Sequence, residues 1–313
     1  MLILRGRLSR RILFYPPTFT HAATLAVFSL EQSSVKLRNM STSLQLAAQA
    51  VQDAQYLIFS AGAGMGVDSG LPDFRGNEGF WRAYPPFQRL GLQFQEVANP
   101  RWFLNDPQLA WGFYGHRFNL YRATTPHEGF AILKRWSETK SARVFTSNVD
   151  GHFQRSCFGE DAVCEVHGSL LHLQCVRPCS SAIWDAADLR IEIDPTTFRA
   201  KGDLPRCPHC GSLARPNVLM FGDSKWRSER SDAQLEALDS WASGIESRQL
   251  VVIEMGAGTA IPTVRHFGES LQSQGATLIR INPRESFGPQ GTIALDFGAR
   301  EGLRAIDELL SVG

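Results

Sequence analysis

Short apolar runs that alternate with helix-patterned segments are the strongest constraint on what this chain can fold into. Five such runs stand out: "YLIFSAG" (56–62), "ARVFTSN" (142–148), "LVVIEMG" (250–256), "ATLIRIN" (276–282) and "TIALD" (292–296). They are rich in Val, Ile or Phe and bounded by Gly, Asn or Asp, which reads as strands. As a set they lack two-residue alternation, so both faces of each strand are expected to be covered. Helical patterns lie between them: "SLQLAAQAVQDA", "HEGFAILKRWSET", "SDAQLEALDSWASGI", "TVRHFGESLQSQG" and, at the end, "REGLRAIDELL". Strands alternating with helices predict an α/β fold with a doubly wound, parallel, Rossmann-like sheet.

Two segments interrupt the alternation. Residues 77–126 are rich in Trp, Phe, Tyr and Pro, and residues 169–216 carry four cysteines and few long apolar runs. Both read as insertions that build a smaller second lobe, a helical part at about 77–126 and a metal-binding part at about 169–216. The sheet domain is then left with about 41–76, 127–168 and 217–313.

At 313 residues the chain can bury a substantial core. With 32 basic against 31 acidic residues, its net charge of +1 offers no electrostatic case for nucleic acid or anionic membrane as a partner. The N-terminal segment is different: Arg5, Arg7, Arg10 and Arg11 precede the first acid, Glu31. Arg-rich and acid-poor is the composition of an organellar transit peptide. An overlong start is the other account, since Met40 opens "MSTSLQLAAQAV", a helix with serine and threonine at its cap. Residues 1–39 are therefore set aside as an N-terminal extension. The expected location is cytoplasmic, or mitochondrial if the extension is a transit peptide.

The first strand runs into "GAGMGVDSGLPDFRG", a glycine-rich loop with an acid, an aromatic ring and a guanidinium at its far end. Gly62-Ala63-Gly64 between a strand and a helix lets backbone N–H groups approach a pyrophosphate, with the helix dipole adding to the attraction. Glycines also simply make tight turns, and Gly66 breaks the usual dinucleotide spacing. At the other insertion, Cys175-x3-Cys179 and Cys207-x2-Cys210 make two knuckles. Four thiolates at this paired spacing suit one structural, tetrahedral zinc with no open position. Cys157 and Cys164 have no partner spacing and read as small core residues.

Several ordered motifs together resemble the sirtuins, the NAD-dependent protein-lysine deacylases. They are the "SGLPDFRG" loop, "TSNVDG" (146–151), "EVHGSL" (165–170), the paired cysteines, "RPNVLMFGD" (215–223) and "INP" (281–283). The resemblance covers about residues 45–310. It implies NAD as co-substrate, acyl-lysine proteins as partners, and a glycine loop that closes as a lid over the nicotinamide ribose with Asp73, Phe74 and Arg75.

The resemblance also assigns roles. His167 would be the general base, consistent with a side chain that titrates near neutrality. Asn148 would position a water and the ribose, and Asp150 would bind the nicotinamide amide. Taken alone, the two are ordinary turn residues before Gly151, and His167 is an ordinary hydrogen-bonded core histidine. Cofactor contacts are further expected from Gly62, Ala63, Gly64, Ser147, Gly256 and Asn282, and substrate contacts from Val218 and Phe221. The implied reaction begins with attack of the acyl-lysine carbonyl oxygen on the anomeric carbon of NAD. It yields nicotinamide, free lysine and O-acyl-ADP-ribose.

"FYGHRF" places Tyr114 and Arg117 three apart, on one face of a helix. An aromatic stripe in a small lobe is ordinarily core. Tyr-x-x-Arg nevertheless resembles the acyl-pocket motif of the desuccinylase and demalonylase branch, where the pair binds the distal carboxylate.

Some positions depart from the family pattern. Ser147 stands in place of glutamine, Met65-Gly66-Val67 replaces a run with hydroxyl side chains, and Gly256-Ala257-Gly258 replaces Gly-Thr-Ser. These changes remove side-chain partners for ribose and phosphate. A mono-ADP-ribosyltransferase or NAD glycohydrolase on the same scaffold is the alternative activity, and an NAD-binding module without catalysis is the non-enzymatic one. The oligomeric state is left open.

Overall fold

The computed structural model describes residues 40–72 and 76–312. The N-terminal extension and the expected lid residues Asp73, Phe74 and Arg75 lie outside the described residues. The chain divides into two units, Met1–Thr42 and Ser43–Gly313, of which the second carries every strand described here.

Helix α1 (40–53) leads into strand β1 (Tyr56–Ala61) and the short helix α2 (Gly64–Val67). The first interruption is helical: α3 (Gly76–Ala83), α4 (Pro85–Arg89), α5 (Phe94–Val97), α6 (Trp102–Asn105) and the long α7 (Pro107–Ala123). Helix α8 (Glu128–Thr139), β2 (Ser141–Thr146), α9 (His152–Arg155) and β3 (Val163–Glu165) return to the sheet. The second interruption holds β4 (Gly168–Cys175), β5 (Ile183–Asp185), β6 (Glu192–Ile193), β7 (Ala200–Lys201) and β8 (Ala214–Val218). The remainder alternates: α10 (Glu229–Ala242), β9 (Leu250–Met255), α11 (Thr263–Ser273), β10 (Thr277–Ile281), β11 (Ile293–Leu295) and α12 (Ala299–Val312).

The main sheet is parallel throughout, in the order β11-β10-β9-β1-β2-β3. The chain steps outward from β1 to β2 and β3, then returns to the other side of β1 for β9, β10 and β11. Between β1 and β9 the crossovers diverge, which opens a crevice at the strands' carboxyl ends.

Successive side chains of each strand enter different cores, which is why no polar alternation marks the sequence. Leu57, Phe59, Val144, Ile253 and Ile279 meet Val51 of α1, Leu133 and Trp136 of α8, and Leu303 and Ile306 of α12. Ile58, Phe145, Val252 and Leu278 meet Leu238 of α10 and Val264 of α11 on the opposite face. There Phe145 stacks on Phe267 with ring centroids 3.7 Å apart and planes 6° apart.

The edge strand β3, just before His167, is only three residues long. One feature of the sheet was not read from the sequence: β9 and β10 carry a fully buried ion pair, Glu254 facing Arg280 in register. Arg280 Nε and Nη2 donate to the Glu254 carboxylate at 2.6 and 3.0 Å, and Nη2 also reaches Glu269 at 2.9 Å.

The two interruptions share an aromatic core. Phe80, Tyr84, Phe87 and Phe113 of the helical segment cluster with Phe198, with Tyr84–Phe113 and Tyr84–Phe198 centroids at 5.2 and 5.4 Å. Each such ring stabilises by on the order of 2 kcal/mol through burial. Val149, Leu170 and Val218 belong to this same core, so it reaches the loops at the carboxyl ends of the main sheet.

Candidate active site

The floor of the crevice is made by three turns that touch through their backbones. Gly62 N–H donates to Met255 O at 3.0 Å, Gly64 N–H to Gly256 O at 2.9 Å, and Gly256 N–H to Ile281 O at 3.0 Å. A Cβ on Gly62 would lie 2.8 Å from Ala257 Cα, and one on Gly64 would lie 2.7 Å from Gly256 Cα. Gly256 itself sits at φ +61°, in the left-handed region. This refines the expectation drawn from the sequence. The N–H groups of Gly62 and Gly64 are paired to carbonyls of the β9 turn, so what the glycines permit is close approach of two turns. Ala63 is exposed at the tip.

The end of β2 is laced to this floor. Thr146 Oγ1 donates to Ala61 O at 2.9 Å, Ser147 N–H to Ala61 O at 3.2 Å, and Asn148 Nδ2 to Gly62 O at 3.0 Å. Asp150 Oδ1 accepts the His152 N–H at 2.9 Å, a local turn that holds the carboxylate in place. The other carboxylate oxygen is 3.6 Å from where a Gly66 Cβ would stand, so Asp150 lies against the glycine loop.

His167 occupies the turn between β3 and β4 and is half-buried. Its backbone is held on both sides: Val166 N–H donates to Thr146 O at 3.0 Å, and Leu219 N–H donates to His167 O at 2.9 Å. Gly168, at φ +76°, passes so close to β8 that a Cβ would fall 2.0 Å from Asn217 O. The His167 Nε2 is 3.3 Å from Thr263 Oγ1 at the start of α11. Burial lowers its pKa below the ordinary histidine value, which keeps the imidazole neutral and able to accept a proton.

Behind it, β3 is clamped by α10. Ser231 Oγ donates to Glu165 O at 2.8 Å, Glu165 N–H donates to Gln234 Oε1 at 3.0 Å, and Arg230 pairs with the buried Glu165 carboxylate at 2.8 Å. Sequence patterning gave no sign of this support, because its partners are some 65 residues apart.

Asn282 is fully buried; its Nδ2 donates to Ala257 O at 2.9 Å, and its Oδ1 accepts the Arg284 and Glu285 N–H groups at 3.0 Å each. Its amide joins the β9 and β10 turns from within. Val218 is buried at the end of β8, while Phe221 is half-buried, its N–H donating to Ala98 O at 3.0 Å.

Tyr114 and Arg117 are both buried on α7. The guanidinium carbon lies 5.9 Å from the Tyr114 ring centre and 5.4 Å from that of Phe113. Burial raises the Tyr114 phenol well above its usual range. A third residue escaped the sequence reading. Arg117 Nε and Nη2 both donate to Tyr121 Oη, at 3.0 and 2.9 Å. Its spacing of four on the same helix was the available signal.

The four cysteines converge, with all their sulfurs within 4.8 Å of one another. Cys175–Cys210 and Cys179–Cys207 sulfurs are 3.7 and 3.6 Å apart. A tetrahedral zinc with Zn–S bonds of about 2.3 Å requires sulfurs about 3.8 Å apart, so the arrangement fits that ion. Gly211 at φ +69° and the Cys207 N–H to Ser212 O bond of 2.7 Å close the second knuckle. Cys164 is buried as expected. Cys157 is not: it is exposed at φ +66°, in the left-handed turn that ends α9.

Comparison with known proteins gives a consistent result. The Sir2 family pattern matches residues 62–245. An NAD-dependent protein deacylase of Aeropyrum pernix is 29% identical over 237 residues, covering 75% of this chain and 84% of that protein. NAD-dependent protein deacylase 1 of Archaeoglobus fulgidus is 30% identical over 239 residues, with the same coverage of 75% and 84%. Among solved structures, a Sir2 homologue mutant in complex with ADP-ribose superposes with a TM-score of 0.64 at 26% identity, covering 85% of this chain and 98% of that one. A Sir2 homologue–NAD complex superposes with a TM-score of 0.61 at 25% identity, covering 85% and 94%. With its parallel Rossmann-like sheet, four-cysteine cluster and crevice histidine, this chain belongs to the Sir2 family.

Proposed function

We propose that this chain is an NAD-dependent protein-lysine deacylase that forms nicotinamide, free lysine and O-acyl-ADP-ribose, and that it favours acyl groups ending in a carboxylate, such as succinyl or malonyl. The observation that carries the reading is the convergence of Asn148, Asp150 and the neutral imidazole of His167 on the crevice between β1 and β9. The relatives' activity points the same way.

NAD, when bound, supplies an electrophilic sugar carbon and a good leaving group. The chain's own residues do the rest. His167, with its pKa lowered by burial, accepts the proton of a ribose hydroxyl at Nε2. Asn148, anchored on Gly62 O, orients a water and the ribose. Asp150, held by the His152 N–H, receives the nicotinamide amide. Gly62, Gly64 and Gly256 bring two turns together into the surface assigned to the dinucleotide, with Ala63 at its tip, and Asp73, Phe74 and Arg75 are assigned the lid that excludes water. Val218 and Phe221 flank the substrate lysine. Tyr114 and Arg117 support the acyl preference, since a buried guanidinium with a phenol beside it suits a carboxylate. Cys175, Cys179, Cys207 and Cys210 would hold one zinc, which folds the lobe and takes no part in the chemistry.

Mass spectrometry of acetyl-, malonyl- and succinyl-lysine peptides incubated with and without NAD tests this. Deacylated peptide with matching O-acyl-ADP-ribose is expected, and His167→Ala should abolish both. Free ADP-ribose or ADP-ribosylated protein in their place would replace the reading with NAD glycohydrolase or mono-ADP-ribosyltransferase activity. Residues 1–39 are assigned to a mitochondrial transit peptide or, if translation starts at Met40, to an overlong start of a cytoplasmic enzyme. Sequencing the mature N-terminus separates these two.

A further inference from the structure

We infer that Tyr121 is a specificity-determining positioning residue: it fixes the plane of the Arg117 guanidinium, so that the acyl-carboxylate site is Tyr114–Arg117–Tyr121 rather than a pair. The inference rests on the carboxylate preference proposed above and concerns the same site.

The geometry is that of a two-point clamp. Two nitrogens on one edge of the guanidinium, Nε and Nη2, chelate a single oxygen at 3.0 and 2.9 Å. One bond would leave the guanidinium free to swing about it, whereas two to one atom define its plane. Ring contacts restrict it further: the guanidinium carbon is 5.2 Å from the Tyr121 ring centre, 5.4 Å from Phe113 and 5.9 Å from Tyr114. All these groups are buried, so each contact is made at low dielectric and is strengthened accordingly.

The phenol is suited to this duty. A phenol oxygen accepting two N–H groups has its lone pairs engaged on the arginine side, which directs its own proton away from the cation. Burial raises the Tyr121 pKa, so the hydroxyl stays protonated across the working range.

Tyr121 also ties this clamp to the catalytic turn. Its backbone carbonyl accepts from Arg155 Nη1 of α9 at 2.6 Å, immediately after Asn148–Asp150 and Gly151. Val149 shares the core that contains Tyr114 and Tyr121. The arginine is therefore registered against the residues assigned to the nicotinamide end. A carboxylate four or five bonds from the lysine nitrogen needs that registration, and an acetyl group does not.

The test is the succinyl-to-acetyl ratio of kcat/KM, measured on the full-length, zinc-loaded chain with paired peptides. Tyr121→Phe keeps the ring and removes the acceptor oxygen. A lost hydrogen bond to a charged group corresponds to roughly a 10- to 100-fold change, so the ratio should fall by about tenfold or more, chiefly through the KM of the succinyl peptide. Arg117→Met should lower it further, and adding Tyr121→Phe to Arg117→Met should change it no more. Equal falls on both peptides in Tyr121→Phe would show general damage and overturn the proposal. A ratio unmoved in Tyr121→Phe but lost in Arg117→Met would overturn the role of Tyr121 and leave the carboxylate reading standing. A ratio unmoved in Arg117→Met would remove the carboxylate reading, and the proposal with it.

Discussion

Gly64 and Gly256 stand backbone to backbone: a Cβ on Gly256 would fall 2.3 Å from Met65 N and 2.5 Å from Gly64 Cα, and one on Gly64 would fall 2.7 Å from Gly256 Cα. Two turns 192 residues apart are thus each cut to fit the other. The atoms in the way are main-chain atoms, which cannot rotate aside as a side chain would. Gly256→Ala should therefore cost at least about 3 kcal/mol, combining left-handed strain with overpacking, and should weaken NAD binding. Gly70, at φ +91° with nothing near its missing Cβ, is the control: Gly70→Ala should cost only about 1–2 kcal/mol. Thermal denaturation and calorimetric titration with NAD measure both. Equal costs would mean that the close approach is not what selects glycine at 256.

The sulfur cage makes a stoichiometric prediction. Purified protein should carry one zinc per chain by elemental analysis. A strong chelator should lower Tm by several degrees, because metal binding at such a site is folding free energy for its lobe. Cys207→Ser should reproduce the loss. Full zinc content in that variant would argue against the four-cysteine set.

Breaking the pair inside the sheet should be severe. Arg280→Met leaves the Glu254 carboxylate buried, with both groups at 0% exposure. Removing one partner of such a pair costs about 3–5 kcal/mol, whereas replacing both by apolar residues is close to neutral. Arg280→Met combined with Glu254→Leu should therefore recover much of the loss. Arg280 Nη1 and Arg265 Nη2 also hold Phe287 O, both at 2.7 Å. Whatever stability the double variant fails to recover measures that loop anchor together with the lost Arg280–Glu269 contact. Chemical denaturation resolves the terms.

Burial pushes the Glu165 carboxyl up to about 7 against the opposing pull of Arg230. Its folded pKa is thus raised above the unfolded value of about 4.3. The native state binds the extra proton, so this contribution to stability is fully present below about pH 4.3 and is lost as the pH rises through about 7. The Tm of the native chain minus that of Glu165→Gln should therefore decrease between pH 5 and pH 8. A difference that grows over this interval would reverse the sign and refute the assignment.

Much of the candidate site was legible because its residues are local. "NVDG", "EVHG" and "CPHCG" each place a candidate side chain within a few residues of a turn, and turn chemistry is a short-range property. The runs of β1, β2, β9 and β10 were legible for a related reason: continuous apolar side chains suit a strand covered on both faces, while the three-residue β11 was bounded by turn residues. Cys157 read as core because nothing local announced its left-handed, exposed turn.

The sequence by itself determined the α/β alternation, the two interruptions, the paired thiols and which short motifs are candidates for chemistry, since each depends on spacing along one segment. Only the tertiary structure decided the reversal of strand order that opens the crevice, the pairing of Glu254 with Arg280 inside apparently apolar strands, the clamp of α10 on the Glu165 segment and the use of the Asn282 amide as an internal strut. The physical reason is that a buried charge or amide is tolerated only beside its partner. That partner is supplied by another strand, helix or turn, brought near by packing and not by adjacency in the chain.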